Sequence, residues 1–531
     1  MQIGDPITQK MMFDFLLDAR ARGLYSAITD NGAGGLSSSV GEMAQAPGGA
    51  KLDLSKALLK YAGLAPWEIF LSEAQERMTL AVPPDRVEEF LSLAQRREVE
   101  ATVLGEFTDD GFLHVTYGDE TVAMLDMDFL HDGAPEMVLT AKWEPPTWPE
   151  PPARPDDHGE TLRNLLSRLN ITSGEAKARH YDHEVKGLSV IKPFVGRGTD
   201  IPSEATVSLA RHGSLRGMVL SEGIHPFLSD LDTYAMATTV VDEAVRRQIC
   251  AGARIDRIAA LDNFCWPDPI RSGHTPDGEY KLAQLVRACQ GLYDICSTYG
   301  VPLISGKDSM KNESTMGGVK ICVPPTLLLS AIGQIDDVRE AITLDFKQPG
   351  DVIFVLGETG THTGGSEYFR YLGERDGLVP ELGQPAPYLG SHPPTVDPDQ
   401  TLPLYRALEQ AIDAGWVRSA ATPTKGGLAV SLAKCTMAGL LGAAVDLSDC
   451  PGMTDLESDT ALFSESNGRF VVSVAPDDAA AFADHLADLA CCQVGTVSED
   501  TRLSIRRGDA ILVEQTLETL RQHFKEGLRD A

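Results

Sequence analysis

The sequence predicts an α+β protein in which one α/β unit occurs twice, flanking a different unit, and three observations carry that prediction. The first is an internal repeat. Gly23-Leu24-Tyr25-Ser26-Ala27, followed by Gly34-Gly35-Leu36, returns 392 residues later as Gly415-Trp416-Val417-Arg418-Ser419, followed by Gly426-Gly427-Leu428. Leu71-Ser72-Glu73-Ala74-Gln75-Glu76-Arg77 returns at the same offset as Phe463-Ser464-Glu465-Ser466-Asn467-Gly468-Arg469. Two well-separated motifs that keep one register without a gap mark a duplicated unit, not a chance likeness of Gly- and Ser-rich text.

The second observation is a proline run. Residues 143–156, WEPPTWPEPPARPD, hold six prolines, which exclude a helix or a central strand. The third is the different patterning of residues 185–335. Strand-like runs at 205–210 and 217–220 precede a helical run from Thr233 to Ala251. Ile258 to Trp266, a helix from Tyr280 to about Tyr299, a strand at 301–306 and the run 319–333 complete the segment. A further strand, DVIFVLGET at 351–359, opens the last unit after the turn Gln348-Pro349-Gly350. The predicted organisation is a first unit at 1–142, a proline-rich linker at 143–184, a middle unit at 185–335 and the second copy at 340–531.

Composition narrows the class. At 531 residues, with 43 % apolar and 23 % charged, the chain is expected to be a soluble protein of several domains. It has no apolar run of membrane-spanning length and no secretory signal at its N-terminus. Nine cysteines without a C-x-x-C suit a reducing cytoplasm better than a zinc site or disulfide framework. A formal net charge of −31 disfavours nucleic acid and anionic lipid as partners. Any phosphorylated ligand must then be met by local cations, helix N-termini or a metal ion.

Four clusters carry chemistry. They are Gln2-Ile3-Gly4-Asp5-Pro6; Thr29-Asp30-Asn31-Gly32-Ala33-Gly34-Gly35-Leu36; Ser72-Glu73-Ala74-Gln75-Glu76-Arg77; and Ile304-Ser305-Gly306-Lys307-Asp308-Ser309. A glycine turn entering a helix at about Ser37 suits phosphate, and the neighbouring Asp30 suits Mg²⁺; a plain turn with an N-cap reads equally well from the glycines alone. Loop 72–77 reads equally as an exposed turn with a charge pair. Lys307 after a strand can aim an ammonium at phosphate, although P-loop and dinucleotide spacings are absent. Asp262-Asn263 ends another strand facing the same edge, and His225-Pro226 reads first as a turn. The repeat adds an asymmetry: at the 392 offset Asp30 becomes Thr422, Gln75 becomes Asn467 and Glu76 becomes Gly468. The first copy reads as a working half-site and the second as its degenerate twin.

The strings QIGDP, ITDNGAGGLSS, LSEAQERM, DEAVRR, LDNFCWPDP, GEYKLAQLVRACQGLYD, YGVPLISGKDSMKNE, GGSEY and LFSES occur in order. Together they resemble the synthetase component of phosphoribosylformylglycinamidine synthase, over nearly the whole chain. The resemblance implies a ferredoxin-like N-type half with a barrel-forming sheet and two copies of a C-type α/β half. It implies ATP-dependent conversion of formylglycinamide ribonucleotide to its amidine in purine biosynthesis, through a phosphorylated amide attacked by ammonia, with Mg²⁺ as cofactor. Gln2, Glu73, Ala74, Gln75 and Ser309 are implied to bind that substrate, Asp262, Gly306 and Lys307 to bind ATP, and Asp30 to ligate Mg²⁺. Lys307 stands where relatives carry an asparagine serving a second metal, so the number of metal ions stays open.

The family's catalytic histidines and main metal carboxylates lie in a first N-type half of which this sequence has no copy. No general acid or base is therefore assigned. The expected partners are a chain carrying that half, a glutaminase subunit supplying ammonia, and a small accessory subunit. With Thr422 and Arg247 at metal-side positions, no Mg-nucleotide is expected between 185–335 and 340–531. A scaffold subunit or another kinase or synthetase of the superfamily are the alternative readings; single-unit kinases lack the 392 repeat.

Overall fold

The computed structural model describes residues 4–181, 183–378, 380 and 385–528. The chain divides into two units, Met1–Val138 and Leu139–Ala531.

The first unit opens with α1 (Pro6–Ala21), whose leading proline has the φ a first helical turn needs. There follow β1 (Ala27–Asp30), α2 (Gly35–Ala44), β2 (Ala50–Asp53), α3 (Pro66–Leu71), β3 (Met78–Ala81) and α4 (Val87–Arg96). Strands β4 (Gly105–Phe107), β5 (Phe112–Tyr117) and β6 (Glu120–Asp126) and helix α5 (Met127–Asp132) end it. These strands form a two-stranded ladder, β1-β3, and a separate four-stranded sheet ordered β4-β2-β5-β6. Two small cores result. One joins α2, α3 and the four-stranded sheet through Leu36, Val40, Leu52, Ile69, Leu113 and Val115. The other joins α1 to α4 through Phe15, Ala19, Phe90 and Leu93, with Phe15 edge-on to Phe90.

The second unit starts before the middle segment proper. Residues 139–142, expected with the first unit, belong here; the Lys142 N–H donates to the Glu279 carbonyl at 3.0 Å. The proline run is a strap laid on this unit, not a free tether. Trp143 stacks on Tyr280, the Trp148 Nε1–H donates to the Asp230 carbonyl at 2.8 Å, and Arg154 donates to Asp459 at 2.8 Å. Within the expected linker lies α6 (His158–Leu166), capped by Asp157, with Leu162, Leu165 and Leu166 fully buried. Leucines at helical spacing need a partner surface, and the C-terminal part of the chain provides it. The one-turn α7 (Glu175–Ala178) follows.

The middle segment contributes β7 (Ser189–Ile191), β8 (Phe194–Val195), β9 (Ile201–Pro202), β10 (Thr206–Leu209), β11 (Gly217–Ile224), α8 (Thr233–Cys250), β12 (Ala259–Cys265), α9 (Gly278–Tyr299) and β13 (Leu303–Ser309). The hairpin β14 (Glu313–Met316) and β15 (Val319–Cys322) and the long β16 (Thr326–Ile335) complete it. The six-stranded sheet runs β13-β12-β16-β11-β10-β7. Residues alternate along β11, so Val219 and Ser221 point inward while Met218 and Leu220 are 40 % and 49 % exposed. Helix α8 rests on that sheet so closely that a Cβ on Gly223 would lie 2.1 Å from the Val240 carbonyl oxygen.

The C-terminal segment contains β17 (Val352–Leu356), α10 (Glu367–Arg375), α11 (Pro398–Asp413), β18 (Val417–Ala421), α12 (Gly427–Gly439), β19 (Gly442–Asp446) and α13 (Ser458–Phe463). It ends with β20 (Phe470–Val474), α14 (Ala479–His485), β21 (Cys491–Ser498), β22 (Arg502–Arg507), β23 (Ala510–Thr516) and α15 (Leu517–Glu526). Its seven strands form one sheet ordered β18-β20-β17-β21-β19-β22-β23, with the wholly buried β17 third in that order.

Because Leu162 is fully buried, Leu162→Ala should cost about 2–5 kcal/mol of stability in the 139–531 unit, measured by denaturant unfolding. A loss below about 0.5 kcal/mol, the usual range for surface positions, would return residues 158–166 to the status of a linker.

Candidate functional site

In the first unit the site is built on one close approach. Gly34 and Gly35 adopt φ of 84° and 56°, the left-handed region that side chains disfavour. A Cβ on Gly35 would also lie 2.3 Å from the Ser72 carbonyl oxygen. Two glycines therefore let loop 72–77 lie directly on the start of α2. The Ala74 N–H donates to the Asn31 carbonyl at 3.2 Å, and Arg77 donates to the Ser72 carbonyl at 3.1 Å, holding the loop from beneath. Burial lowers the Arg77 pKa. Asn31 is buried; its Oδ1 accepts from Ser39 at 2.8 Å and Thr79 at 3.1 Å, while its Nδ2 has no hydrogen-bond partner.

The predicted residues fall around this joint. Asp30 is exposed at the end of β1 and accepts from the Gly32 N–H at 2.7 Å. Glu73 is exposed and Ala74 half-buried. A Cβ on Gly4 would lie 3.0 Å from Glu76 Oε1 and 3.1 Å from Gln75 Oε1, so the N-terminal segment borders the same loop. Gln2 lies outside the described residues. Asp30, Glu73, Ala74 and Gln75 are thus gathered on two loops joined by backbone hydrogen bonds. Among the described residues no three His, Cys, Asp or Glu side chains form a metal-holding group. The donor set still fits Mg²⁺, which keeps several waters and takes one or two carboxylates with substrate phosphates.

In the second unit, β12 and β13 run parallel and pair Asp262 with Gly306, Asn263 with Lys307 and Cys265 with Ser309. A Cβ on Gly306 would lie 3.0 Å from Asp262 Oδ1. Asp262 is also opposite buried Leu329 of β16, which puts it on the helix-covered face. Desolvation there, with Asp308 nearby, raises its pKa. Lys307 and Ser309 are one residue out of phase and lie on the open face. The expected ATP contacts are therefore neighbours along the edge strand β13 but divide between its two faces. The alternation was readable from the sequence; the strand boundary that sets its phase was not.

The twin of the first joint lies wholly inside the second unit and is filled. Gly426 and Gly427 repeat the left-handed turn, and a Cβ on Gly427 would meet the Ser464 carbonyl at 2.6 Å. Arg469 donates to that carbonyl at 2.6 Å, as Arg77 does to Ser72. Here, however, the side chains satisfy one another. Glu465 Oε1 accepts from the N–H groups of Gly426 at 2.8 Å and Glu367 at 3.0 Å. Asp242 pairs with Arg246 at 2.6 Å and Glu243 with Arg247 at 2.5 Å, both at four-residue helical spacing. Lys425 donates to the Ile224 carbonyl at 2.8 Å. His225, read from sequence as a turn residue, is buried with its Nε2 2.6 Å from Glu243. Burial would raise Glu243, but Lys425, Arg247 and His225 hold it well below the usual carboxylate range. This network of buried ions escaped sequence reasoning, although the four-residue spacing in Asp242-Glu243-Ala244-Val245-Arg246-Arg247 signals it.

Comparison with known proteins gives a consistent assignment. The AIR synthase related protein C-terminal domain matches residues 1–118 and 348–508, and the N-terminal domain of the same family matches residues 214–335. The chain is 33 % identical over 534 residues to the phosphoribosylformylglycinamidine synthase subunit PurL of Methanopyrus kandleri, covering 98 % of this chain and 68 % of that protein. The Thermoplasma acidophilum PurL subunit is 29 % identical over 530 residues, covering 99 % of this chain and 66 % of that protein. The chain thus spans about two thirds of the length of the curated relatives it matches. Among solved structures, Thermotoga maritima PurL complexed with FGAR superposes with a TM-score of 0.63 at 21 % identity, covering 94 % of this chain and 66 % of that one. The PurLQS structure from the same organism gives 0.62 at 22 %, covering 94 % and 68 %.

Two expectations follow from the filled joint. Burial pushes Glu465 up to about 7, so between about pH 4.5 and 7 the folded chain holds a proton that the unfolded chain releases. Stability should fall with rising pH across that window, and Glu465→Gln, whose amide oxygen can accept both N–H groups, should remove the fall. The variant should be more stable than the parent by about 1–3 kcal/mol at pH 8 and alike at pH 4, in unfolding titrations at the two pH values. Second, chromatography of the supernatant from denatured, purified protein should show no stoichiometric ADP or Mg²⁺, because Arg247 and Lys425 already balance the carboxylates there. Stoichiometric release would overturn the claim that the second joint is filled.

Proposed function

The chain belongs to the family of phosphoribosylformylglycinamidine synthase PurL subunits, and on that premise we propose that it carries part of the site for ATP-dependent amidine formation. The observation that bears most weight is the contrast between two equivalent joints: the one at 30–35 and 72–77 presents exposed carboxylates and an unpaired buried amide, whereas its twin is closed by its own charges. Residues 1–138 and the C-terminal segment are read as two C-type copies around one ferredoxin-like N-type half. The first residues of α1 and α11, α2 and α12, β2 and β19, α3 and α13, β3 and β20, and α4 and α14 each lie 392 residues apart, which supports this.

The substrate read for the site is formylglycinamide ribonucleotide. Its amide oxygen attacks the γ-phosphorus of ATP and ADP leaves; ammonia then attacks the amide carbon, and phosphate departs with the oxygen to leave the amidine. Glu73, Ala74 and Gln75 hold the ribonucleotide, with Ser309 and Gln2 assigned to the same task. A nucleotide seated across the free edge strand β13 reaches Lys307 on one face and Gly306 with Asp262 on the other. Mg²⁺, when bound, offsets charge on the transferring phosphoryl group. Asp30 supplies one of its oxygen ligands. Lys307 brings a fixed positive charge to the phosphates from a side chain that cannot ligate metal while protonated.

The general acid and base are assigned to the first N-type half, outside this sequence, and the exposed Met218 and Leu220 on the six-stranded sheet offer it an apolar seat. Ammonia is assigned to a glutaminase partner, with a small accessory subunit. The reaction is assigned to the cytoplasm; among the described residues no helix is long and apolar enough to cross a membrane.

Two measurements test this reading. The 531-residue chain should form no amidine from ATP, ammonia and substrate until an N-type half is added; full activity of the chain by itself would refute the assignment. In the complemented enzyme Asp30→Asn should lower turnover on the order of 10²–10³-fold by removing charge beside the phosphoryl group. Thr422→Ala at the twin position should change turnover less than about twofold. Equal losses would mean that the working and structural copies have been exchanged.

A further inference from the structure

The two copies differ in one structural respect beyond their side chains: their sheets are not equally complete. In the C-terminal segment β17 runs between β20 and β21, antiparallel to both, and joins seven strands into one sheet. In residues 1–138 the equivalent strands form a pair, β1-β3, and a quartet, β4-β2-β5-β6, with no strand joining them among the described residues.

The register shows what stands on each side of the break. β17 pairs Val352 with Val474, Phe354 with Val472 and Leu356 with Phe470 on one side. On the other it pairs Val352 with Thr496, Phe354 with Gln493 and Leu356 with Cys491. At the 392 offset the first edge becomes Met78, Leu80 and Val82. On the second edge the offset is 390, because Gly105 lies against Lys51 as Gly495 lies against Ala444, each with its Cβ position 1.8 Å from that residue's carbonyl oxygen. Cys491, Gln493 and Thr496 therefore become Ala101, Val103 and Glu106. Phe470, Val472 and Val474 are fully buried, whereas Met78, Leu80 and Val82 are half-buried. The second edge is more telling. Residues 491–498 are one continuous strand. Their counterparts, residues 101–108, are strand only at 105–107, where β2 pairs with them, and have no regular structure at 101–104, where the equivalent of β17 would lie. Val103 is 50 % exposed. The loss of strand structure stops where pairing to an existing neighbour begins, so it follows from a missing ladder partner and not from the local sequence.

We infer that residues 78–82 and 101–106 flank a slot for one extended strand of about five apolar residues. That strand is carried at the C-terminal end of the N-type half that serves residues 1–138. The proposal rests on the two-copy reading above. By analogy with β17, three alternate residues of the strand face the α1–α4 core, where Phe354 and its neighbours meet α11 and α14. Two face α2, where Ile353 and Val355 meet α12. Both ladders are antiparallel, so backbone hydrogen bonds fix direction and the alternation fixes register. The strand would merge two small cores into one.

The test supplies such a strand to the full chain. A copy of residues 350–357 is fused ahead of Met1 through a Gly/Ser linker of about 25 residues, which spans roughly 25–30 Å. Amide hydrogen exchange is then followed in the fused and unfused chains. Exchange at 78–82 and 101–104 should be fast in the unfused chain and at least tenfold slower in the fusion. A control fusion with proline in place of the copies of Ile353 and Val355, which lacks those ladder donors, should stay fast. Slow exchange already in the unfused chain, no change on fusion, or equal slowing by the proline control would overturn the slot. Protection that grows with concentration in the unfused chain would show that β17 of a second copy fills it, against the proposed occupant. Exchange needs neither ATP nor substrate, so this result and the activity measurements above can fail independently.

Discussion

The organisation of the chain depends on a contact that only glycine permits. At Gly35, and again at Gly427, the backbone carbonyl of a distant loop sits where a Cβ would be, 2.3 Å and 2.6 Å away. The contact fixes the loop that follows α3, or α13, on the first turn of α2, or α12, and an arginine five residues after the contacted serine closes it from the other side. Everything read as function hangs on this joint. It brings the end of one strand, the start of a helix and a six-residue loop to one place, whatever side chains those elements carry.

What the joint then does is decided by burial. Glu73 and Glu465 occupy the same position in the two copies, yet Glu73 is exposed and Glu465 is 7 % exposed with both backbone donors of its surroundings directed at it. A carboxylate in water keeps its charge for a ligand. One inside the protein is held partly protonated and consumed by structure. Near Glu465, Asp242 pairs with Arg246 and Glu243 with Arg247, so these four charges are taken up within the protein. A buried network of this kind is weak evidence for stability, because desolvation offsets much of the attraction. Its consequence is to make the site self-sufficient.

The repeat made the fold legible because an ungapped offset survives divergence of every side chain not held by backbone geometry; Gly34-Gly35 and Arg77 persist as Gly426-Gly427 and Arg469. Asp30, Glu73, Ala74 and Gln75 lie in two short strings, and the hydrogen bond from the Ala74 N–H to the Asn31 carbonyl joins the two segments. The docking of the proline strap through Trp148 and Arg154 was not legible, since prolines forbid regular structure without forbidding contact. Nor was the division of Lys307 from Asp262 across β13, which depends on the phase of a strand whose first residue the sequence leaves uncertain by one or two positions. The reading of the second copy as degenerate rests on Thr422 in place of Asp30; the ion pairs beside its joint lie on α8, far away in sequence.

The central claim is that one joint binds and the other supports. Equilibrium dialysis of formylglycinamide ribonucleotide against the complemented enzyme tests it most directly. The account predicts one site per 531-residue chain, weakened at least tenfold by Glu73→Gln and unchanged by Glu465→Gln. Two sites per chain, or a loss of binding that follows Glu465 and not Glu73, would contradict it.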